Sequence, residues 1–177
     1  MARILVIDDS PWNVASARFG FGGHEVTVLD NIQDAYTDLK TADLRFDVVL
    51  TDLFMSIGFF KGQMTLRRND YRHSQLLPAG LVFAIAAANQ GVPAVICSDT
   101  DHHEDWICSL LDLLHFGRSN SHYRIAFVEA RAARMRALWK NGVIVPCSGS
   151  DLMASPLLIK DWGDVMERSG LFPPSNQ

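Results

Sequence analysis

A doubly wound α/β fold, with one five-stranded parallel sheet covered by helices on both faces, is what this sequence predicts. Three observations predict it. Short apolar runs alternate with helix-forming segments along the chain, the order that builds a parallel sheet with crossover helices. The first run, residues 3–7, is apolar through Ile4-Leu5-Val6-Ile7 rather than alternating, as a strand covered on both faces requires. Acids then stand where predicted strands end: Asp8 and Asp9 after that run, and Asp52 after Val48-Val49-Leu50-Thr51. In open α/β sheets the carboxyl ends of parallel strands form the edge that binds ligands.

Each element has a local reason. Ser10-Pro11 supplies an N-cap and a first-turn proline, so a helix follows to about Phe19 and ends at the glycines at 20, 22 and 23. Those glycines follow a helix and precede a strand, the reverse of a dinucleotide-binding loop. Residues 24–29 make the second strand, 31–39 the second helix and 46–51 the third strand. Pro78 to Asn89 is apolar almost all round, which predicts a buried helix. Gly91-Val92-Pro93 leads into a fourth strand, Ala94 to Cys97. A helix from about His102 carries Ile107, Leu110, Leu111 and Leu114 at core-facing spacing, and Arg124 to Val128 makes a fifth strand. Asp161 to Ser169 is the last helix, with Trp162, Val165 and Met166 on one side.

Two stretches interrupt this rhythm. Residues 53–77 are aromatic and then basic, and Phe59 and Phe60, if exposed, mark a partner or homodimer surface. In residues 129–159 the local signals conflict. Glu129 to Lys140 favours helix by propensity. Asn141-Gly142, between Ala137-Leu138-Trp139 and Val143-Ile144-Val145, favours a tight hairpin. The sequence supports both.

At 177 residues the chain is expected to be one domain with a full core. Its 48% hydrophobic and 20% charged residues are ordinary for a soluble globular protein. A net charge of −4 gives no global reason to expect nucleic-acid or membrane binding. No apolar run is long enough to span a bilayer, and the N-terminus lacks the pattern of a signal peptide. The three cysteines have no metal-ligand spacing, and Cys97 and Cys108 lie in apolar surroundings. A reducing cytoplasm is the expected compartment.

Clustered carboxylates resist joint ionisation unless a cation sits among them. Oxygen-only ligands suit Mg²⁺, which typically takes one or two carboxylates, waters and phosphate oxygens. The bland alternative is that Asp8, Asp9 and Asp52 only cap helices and loop amides. Three acids at two strand ends exceed what capping needs, and a metal site at Asp8, Asp9 and Asp52 is the expectation.

With these residues in view, the chain resembles the receiver domain of two-component response regulators. The matching segments are ILVIDDSP at 4–11, GGHEVTVLDNIQDAYTDL at 22–39, FDVVLTDLFMS at 46–56 and GLVFAIAAANQGVPAVICS at 80–98. The resemblance implies a flavodoxin-like, three-layer α/β/α fold, to which this chain is expected to add insertions of its own after strands three and five. It implies Asp52 as phosphoryl acceptor, Mg²⁺ on Asp8, Asp9 and Asp52, and Ser98 as the hydroxyl that bonds the phosphoryl oxygen. Phe127 falls at the aromatic switch position. The implied partners are a histidine kinase or phosphotransfer protein and an output protein, within a phosphorelay.

The chain departs from the family in three places. The lysine three residues after the switch aromatic is replaced by Ala130; Arg131 is adjacent and Lys160 opens the last helix, but neither fits the spacing. Ser56 stands where proline is usual, and no output domain is expected after the receiver-like core. The segment Ser98-Asp99-Thr100-Asp101-His102-His103-Glu104 has capping-box spacing at Asp101 and Glu104, and a protonated histidine there could replace the lysine. Three readings follow: a stand-alone receiver, a degenerate pseudo-receiver that binds partners without phosphorylation, and a metal-dependent phosphohydrolase using Asp99 and Asp101.

Overall fold

The structure is a computed structural model and describes residues 1–40, 45–56, 76–98, 124–129, 133–140, 143–147 and 157–171. Five strands, β1 (Arg3–Ile7), β2 (Glu25–Leu29), β3 (Val48–Asp52), β6 (Ala94–Ser98) and β7 (Ile125–Glu129), form one sheet. All pair in parallel, in the order β2-β1-β3-β6-β7. Counted along this sheet the order is 2-1-3-4-5, the flavodoxin-like doubly wound arrangement. Each strand lies within two residues of its expected bounds, because unbroken apolar runs between turn residues leave little choice of register.

Alternate side chains of these strands enter two separate cores. Leu5, Ile7, Val49 and Ile96 face helices α2 (Ile32–Lys40) and α3 (Ala79–Asn89). Ile4, Val6, Leu50 and Val95 face α1 (Pro11–Gly20) and α4 (Trp162–Arg168). The three-layer α/β/α expectation holds.

Helix α3 corrects one expectation. Its buried face is Gly80, Phe83, Ala84 and Ala87, whereas Val82 is 64% and Ile85 40% exposed. An apolar composition with many alanines hides the fact that only one side meets the sheet. The helix ends at Gly91, whose φ of +78° accompanies the Val92 amide turning back to Ala87 O at 3.0 Å. That is the left-handed close which favours glycine.

The conflict in 129–159 resolves toward strands. β8 (Arg134–Lys140) and β9 (Val143–Pro146) pair antiparallel with Lys140 opposite Val143, leaving two residues between them as an Asn-Gly hairpin needs. Turn chemistry and tertiary pairing override the helical propensity of the Ala/Arg stretch. β10 (Leu157–Lys160) pairs with the other side of β8, completing a small sheet in the order β10-β8-β9. This sheet packs against α1 through Ala15, Met135, Ala137 and Ile159. Lys160 therefore ends a strand and does not open a helix.

The insertion after β3 starts and ends as a short antiparallel pair, β4 (Met55–Ser56) with β5 (Leu76–Leu77). Phe59, Phe60 and the basic residues Lys61, Arg67, Arg68, Arg72 and His73 lie outside the described residues, as do Asp99 to Glu104, the helix expected from His102, and Ala130 with Arg131. Among the described residues no helix is long and apolar enough to cross a membrane.

Candidate functional site

β1 and β3 are neighbours with Ile7 opposite Thr51, so the next residue on each strand stands at the same sheet edge. Those residues are Asp8 and Asp52. Both share strand parity with Val6 and Leu50, which places them on the α1–α4 side of the sheet. One carboxylate oxygen from each of Asp8, Asp9 and Asp52 lies within 4.8 Å of the others. Each acid also accepts a backbone amide, so the capping account is true as well. It does not exhaust what these residues do.

Asp8 is fully buried and closely held. Its Oδ1 accepts the Ser10 amide at 2.8 Å, and both its oxygens accept from Asn13 Nδ2 at 3.1–3.2 Å. Ser10 itself makes no side-chain cap on α1. Asp9 is turned toward β4: its Oδ2 accepts from the Ser56 amide at 2.7 Å and from the Ser56 hydroxyl. Ser56, at the position where the resembled family has proline, thus touches the acid cluster directly.

The cation missing at Ala130 arrives from elsewhere in the chain. Lys160 Nζ lies 2.8 Å from Asp8 Oδ2 and 2.9 Å from Asp52 Oδ1, with its side chain 1% exposed. The ammonium also sits 5.3 Å over the Trp162 ring. Asp52 Oδ1 takes a second bond from the Leu53 amide at 2.8 Å, while Oδ2 accepts none from a described residue. The Asp52 side chain keeps 16% of its surface, so the pocket is partly open at that point.

Among the described residues one ammonium pairs with two of the three clustered carboxylates, and the electrostatics register the imbalance. Burial pushes Asp52 up to about 7, and the charges of Asp8 and Asp9 add to that rise against the opposing pull of Lys160. Burial likewise raises Asp8 above the usual carboxylate range, although Lys160, the Ser10 amide and Asn13 all favour its ionised form. Burial works against the Lys160 charge, but Asp8 and Asp52 outweigh it and hold the ammonium above the ordinary lysine range.

A pH dependence follows from these directions. Asp52 rises from 3.8 to about 7, so its contribution to stability is complete below pH 3.8 and is lost as pH climbs through 7. Asp8 acts in the same sense. Asp47 is lowered by its hydrogen bonds to Arg3, so its contribution disappears only as pH falls below 3.8, outside that window. Metal-free protein should therefore lose on the order of 4 kcal/mol between pH 4 and pH 8 in urea titrations. A flat profile would contradict the charge imbalance.

Ser98 closes β6 one residue beyond Cys97, the register partner of Asp52, and is 2% exposed. Phe127 lies opposite Ile96 on β7, half-buried against the α2–α3 core. Among the described cysteines, Cys97 is buried and Cys147 half-buried. Sequence reasoning missed Lys160 as a site residue, and missed Asn13 and Gly80 altogether. The signal for Lys160 was a lone cation ending the apolar run Leu157-Leu158-Ile159. Asn13 carried none beyond its place one turn past Asp9.

No protein-family model matches the chain, and no curated protein matches it. Among solved structures it is similar to the signal receiver domain of a modulated diguanylate cyclase from Desulfovibrio desulfuricans G20. That match has 19% identity and a TM-score of 0.44, covering 73% of this chain and 81% of that one. The match is too distant to bear on activity. The strand order and the acids at its carboxyl edge stand without it, and in those two respects the chain resembles a response-regulator receiver domain.

Proposed function

We propose that the chain is a single receiver-like signalling unit that takes a phosphoryl group on Asp52, with a divalent cation held by Asp8, Asp9 and Asp52. One observation carries this reading: three carboxylates converge while, among the described residues, one buried ammonium pairs with Asp8 and Asp52 and not with Asp9, which leaves surplus negative charge beside a partly open aspartate. The donor set is oxygen only, which fits Mg²⁺. Asp9 and Asp52 are the accessible members, and Asp8 backs them from the core. When bound, the cation would neutralise charge on the transferred phosphoryl group.

The remaining work falls to the chain itself. Asp52 Oδ1 is anchored by the Leu53 amide and Lys160, so Oδ2 is the oxygen positioned to attack phosphorus. The new O–P bond forms as the bond from phosphorus to the donor breaks, leaving an acyl phosphate. Lys160 then transfers its pairing from the carboxylate to a phosphoryl oxygen, and Ser98 at the adjacent strand end donates its hydroxyl to another. Movement at Ser98, with Phe127 one strand over, biases a surface read by a protein partner. The expected donors are a histidine kinase or phosphotransfer protein, in a reducing cytoplasm.

Incubation with acetyl phosphate and Mg²⁺ should add one phosphoryl group to the intact chain, removable by hydroxylamine, and Asp52→Asn should take none. A wild-type chain that stays unmodified counts against the proposal. A specific observation favours the pseudo-receiver as second reading: both Asp8 oxygens and Asp9 Oδ2 already accept hydrogen bonds. Under that reading Asp52→Asn binds the partner as the wild type does. A phosphohydrolase would need Asp99 and Asp101, which lie outside the described residues.

A further inference from the structure

The lysine in this pocket is delivered by an unusual route. It comes from β10, a strand of the small second sheet, and not from the main-sheet strand β7. Pairing with β8 fixes Lys160 opposite Arg134, but that contact alone does not tie the small sheet to the acids on β1 and β3. Helix α1 does. Asn13 Oδ1 accepts the Lys160 backbone amide at 3.1 Å, while Asn13 Nδ2 donates to both oxygens of Asp8. The orientation of this amide is forced by its partners, since an N–H needs an acceptor and a carboxylate needs a donor.

Three residues on, the Ser16 hydroxyl lies 2.7 Å from the Lys160 carbonyl and 2.9 Å from that of Asn13. Its one proton favours the shorter contact. The Trp162 indole N–H reaches the Asn13 carbonyl at 3.1 Å, and that indole packs under the Lys160 ammonium. Asn13 is 7% and Ser16 1% exposed, so both are closed to solvent. Both backbone polar groups of Lys160 are thus gripped by side chains one turn apart on α1.

We propose that Asn13, assisted by Ser16, is a positioning residue: it clamps the Lys160 backbone to Asp8, so the ammonium reaches Asp52 from a strand outside the main sheet. What the ammonium does there rests on the phosphoryl-acceptor reading; where it sits rests on the clamp alone. A buried amide bonded to two partners at once transmits displacement of either one to the other. Movement of Lys160 onto a phosphoryl group would therefore be felt by α1 as well as by the small sheet.

Two measurements on the full chain test this. Calorimetry with Mg²⁺ and beryllofluoride should show Asn13→Leu weakening binding by about tenfold or more, as loss of an orienting partner does at comparable sites. Ser16→Ala, which leaves the Asn13 bonds to Asp8 in place, should weaken binding in the same direction, because it loosens the grip on the Lys160 backbone. Weakened binding in Asn13→Leu with full binding in Ser16→Ala would mean that Asn13 acts through Asp8 alone and overturn the proposal.

The second measurement needs no ligand. Acetic anhydride labelling mapped by mass spectrometry should leave Lys160 protected in the wild type and label it about tenfold faster in folded Asn13→Leu. Unchanged protection overturns the clamp. If Asn13→Leu does not fold, Ser16→Ala removes only the carbonyl grip and should give the same labelling shift; unchanged protection in that variant overturns the clamp equally. A wild type that binds no beryllofluoride, yet shows the expected labelling pattern, sinks the phosphoryl reading and leaves the clamp standing.

Discussion

Lys160→Met should cost about 3–5 kcal/mol of folding free energy at pH 8, measured by urea denaturation. Methionine nearly preserves the volume, so the loss reports charge rather than a cavity. Lys160 is the cation within salt-bridge reach of both Asp8, fully buried, and Asp52, 16% exposed. Removing one partner of a buried ion pair leaves the other charge without compensation, which is the expensive half of the exchange. The variant has an escape: its carboxyls can protonate. The loss should therefore shrink toward pH 5, and stability should fall with pH more steeply than in the wild type. Against a typical total of about 5–15 kcal/mol, the variant could be unfolded at pH 8 and folded at pH 5. Wild-type stability at pH 8 would show that Lys160 is not the counter-ion of this pocket.

The second large effect is expected at Gly80. A Cβ there would lie 1.8 Å from the Asp52 carbonyl oxygen, 2.7 Å from its carbon and 3.0 Å from Leu53 Cα. All three are backbone atoms, so no side-chain rotation relieves the overlap. The Gly80 amide also bonds Leu53 O at 3.1 Å, which pins the first turn of α3 onto the end of β3. Helix propensity alone makes Gly→Ala favourable by about 1 kcal/mol, so the sign of the result is diagnostic. Gly80→Ala should instead destabilise by about 3 kcal/mol, at the upper end of overpacking costs. It should also slow phosphorylation of Asp52 by acetyl phosphate, because the backbone that must shift carries the acceptor. A neutral or stabilised variant would mean that α3 can lift off β3 freely.

The main sheet was legible because its signals are local. Ile4 to Ile7 and Val48 to Leu50 are continuous apolar runs that suit a two-sided burial, and the acids beyond their ends mark the edge. Once the two strands are parallel neighbours, the meeting of Asp8 and Asp52 needs no further information. Ser98 was singled out through the resemblance to receiver domains, and it closes β6 at the same edge. The Asn141-Gly142 hairpin signal was present too, but opposed by a helical composition of similar weight. Pairing of β8 with both β9 and β10 decided between them.

The residues that complete the pocket were illegible for a different reason. Lys160 is 152 positions from Asp8 and 108 from Asp52 in sequence, and no spacing rule links them. What brings them together is the packing of a second small sheet on α1, fixed by Asn13 and Ser16. The clasp of Ser56 on Asp9 and the contact of Gly80 with Asp52 are likewise facts of packing. By itself the sequence determined the layered α/β fold, the strand order's outer limits and the edge where acids gather, because periodicity and strand ends act over a few residues. Only the tertiary structure decided which cation answers those acids, since a buried charge takes its partner from whatever the fold places within about 3 Å, however remote in the chain.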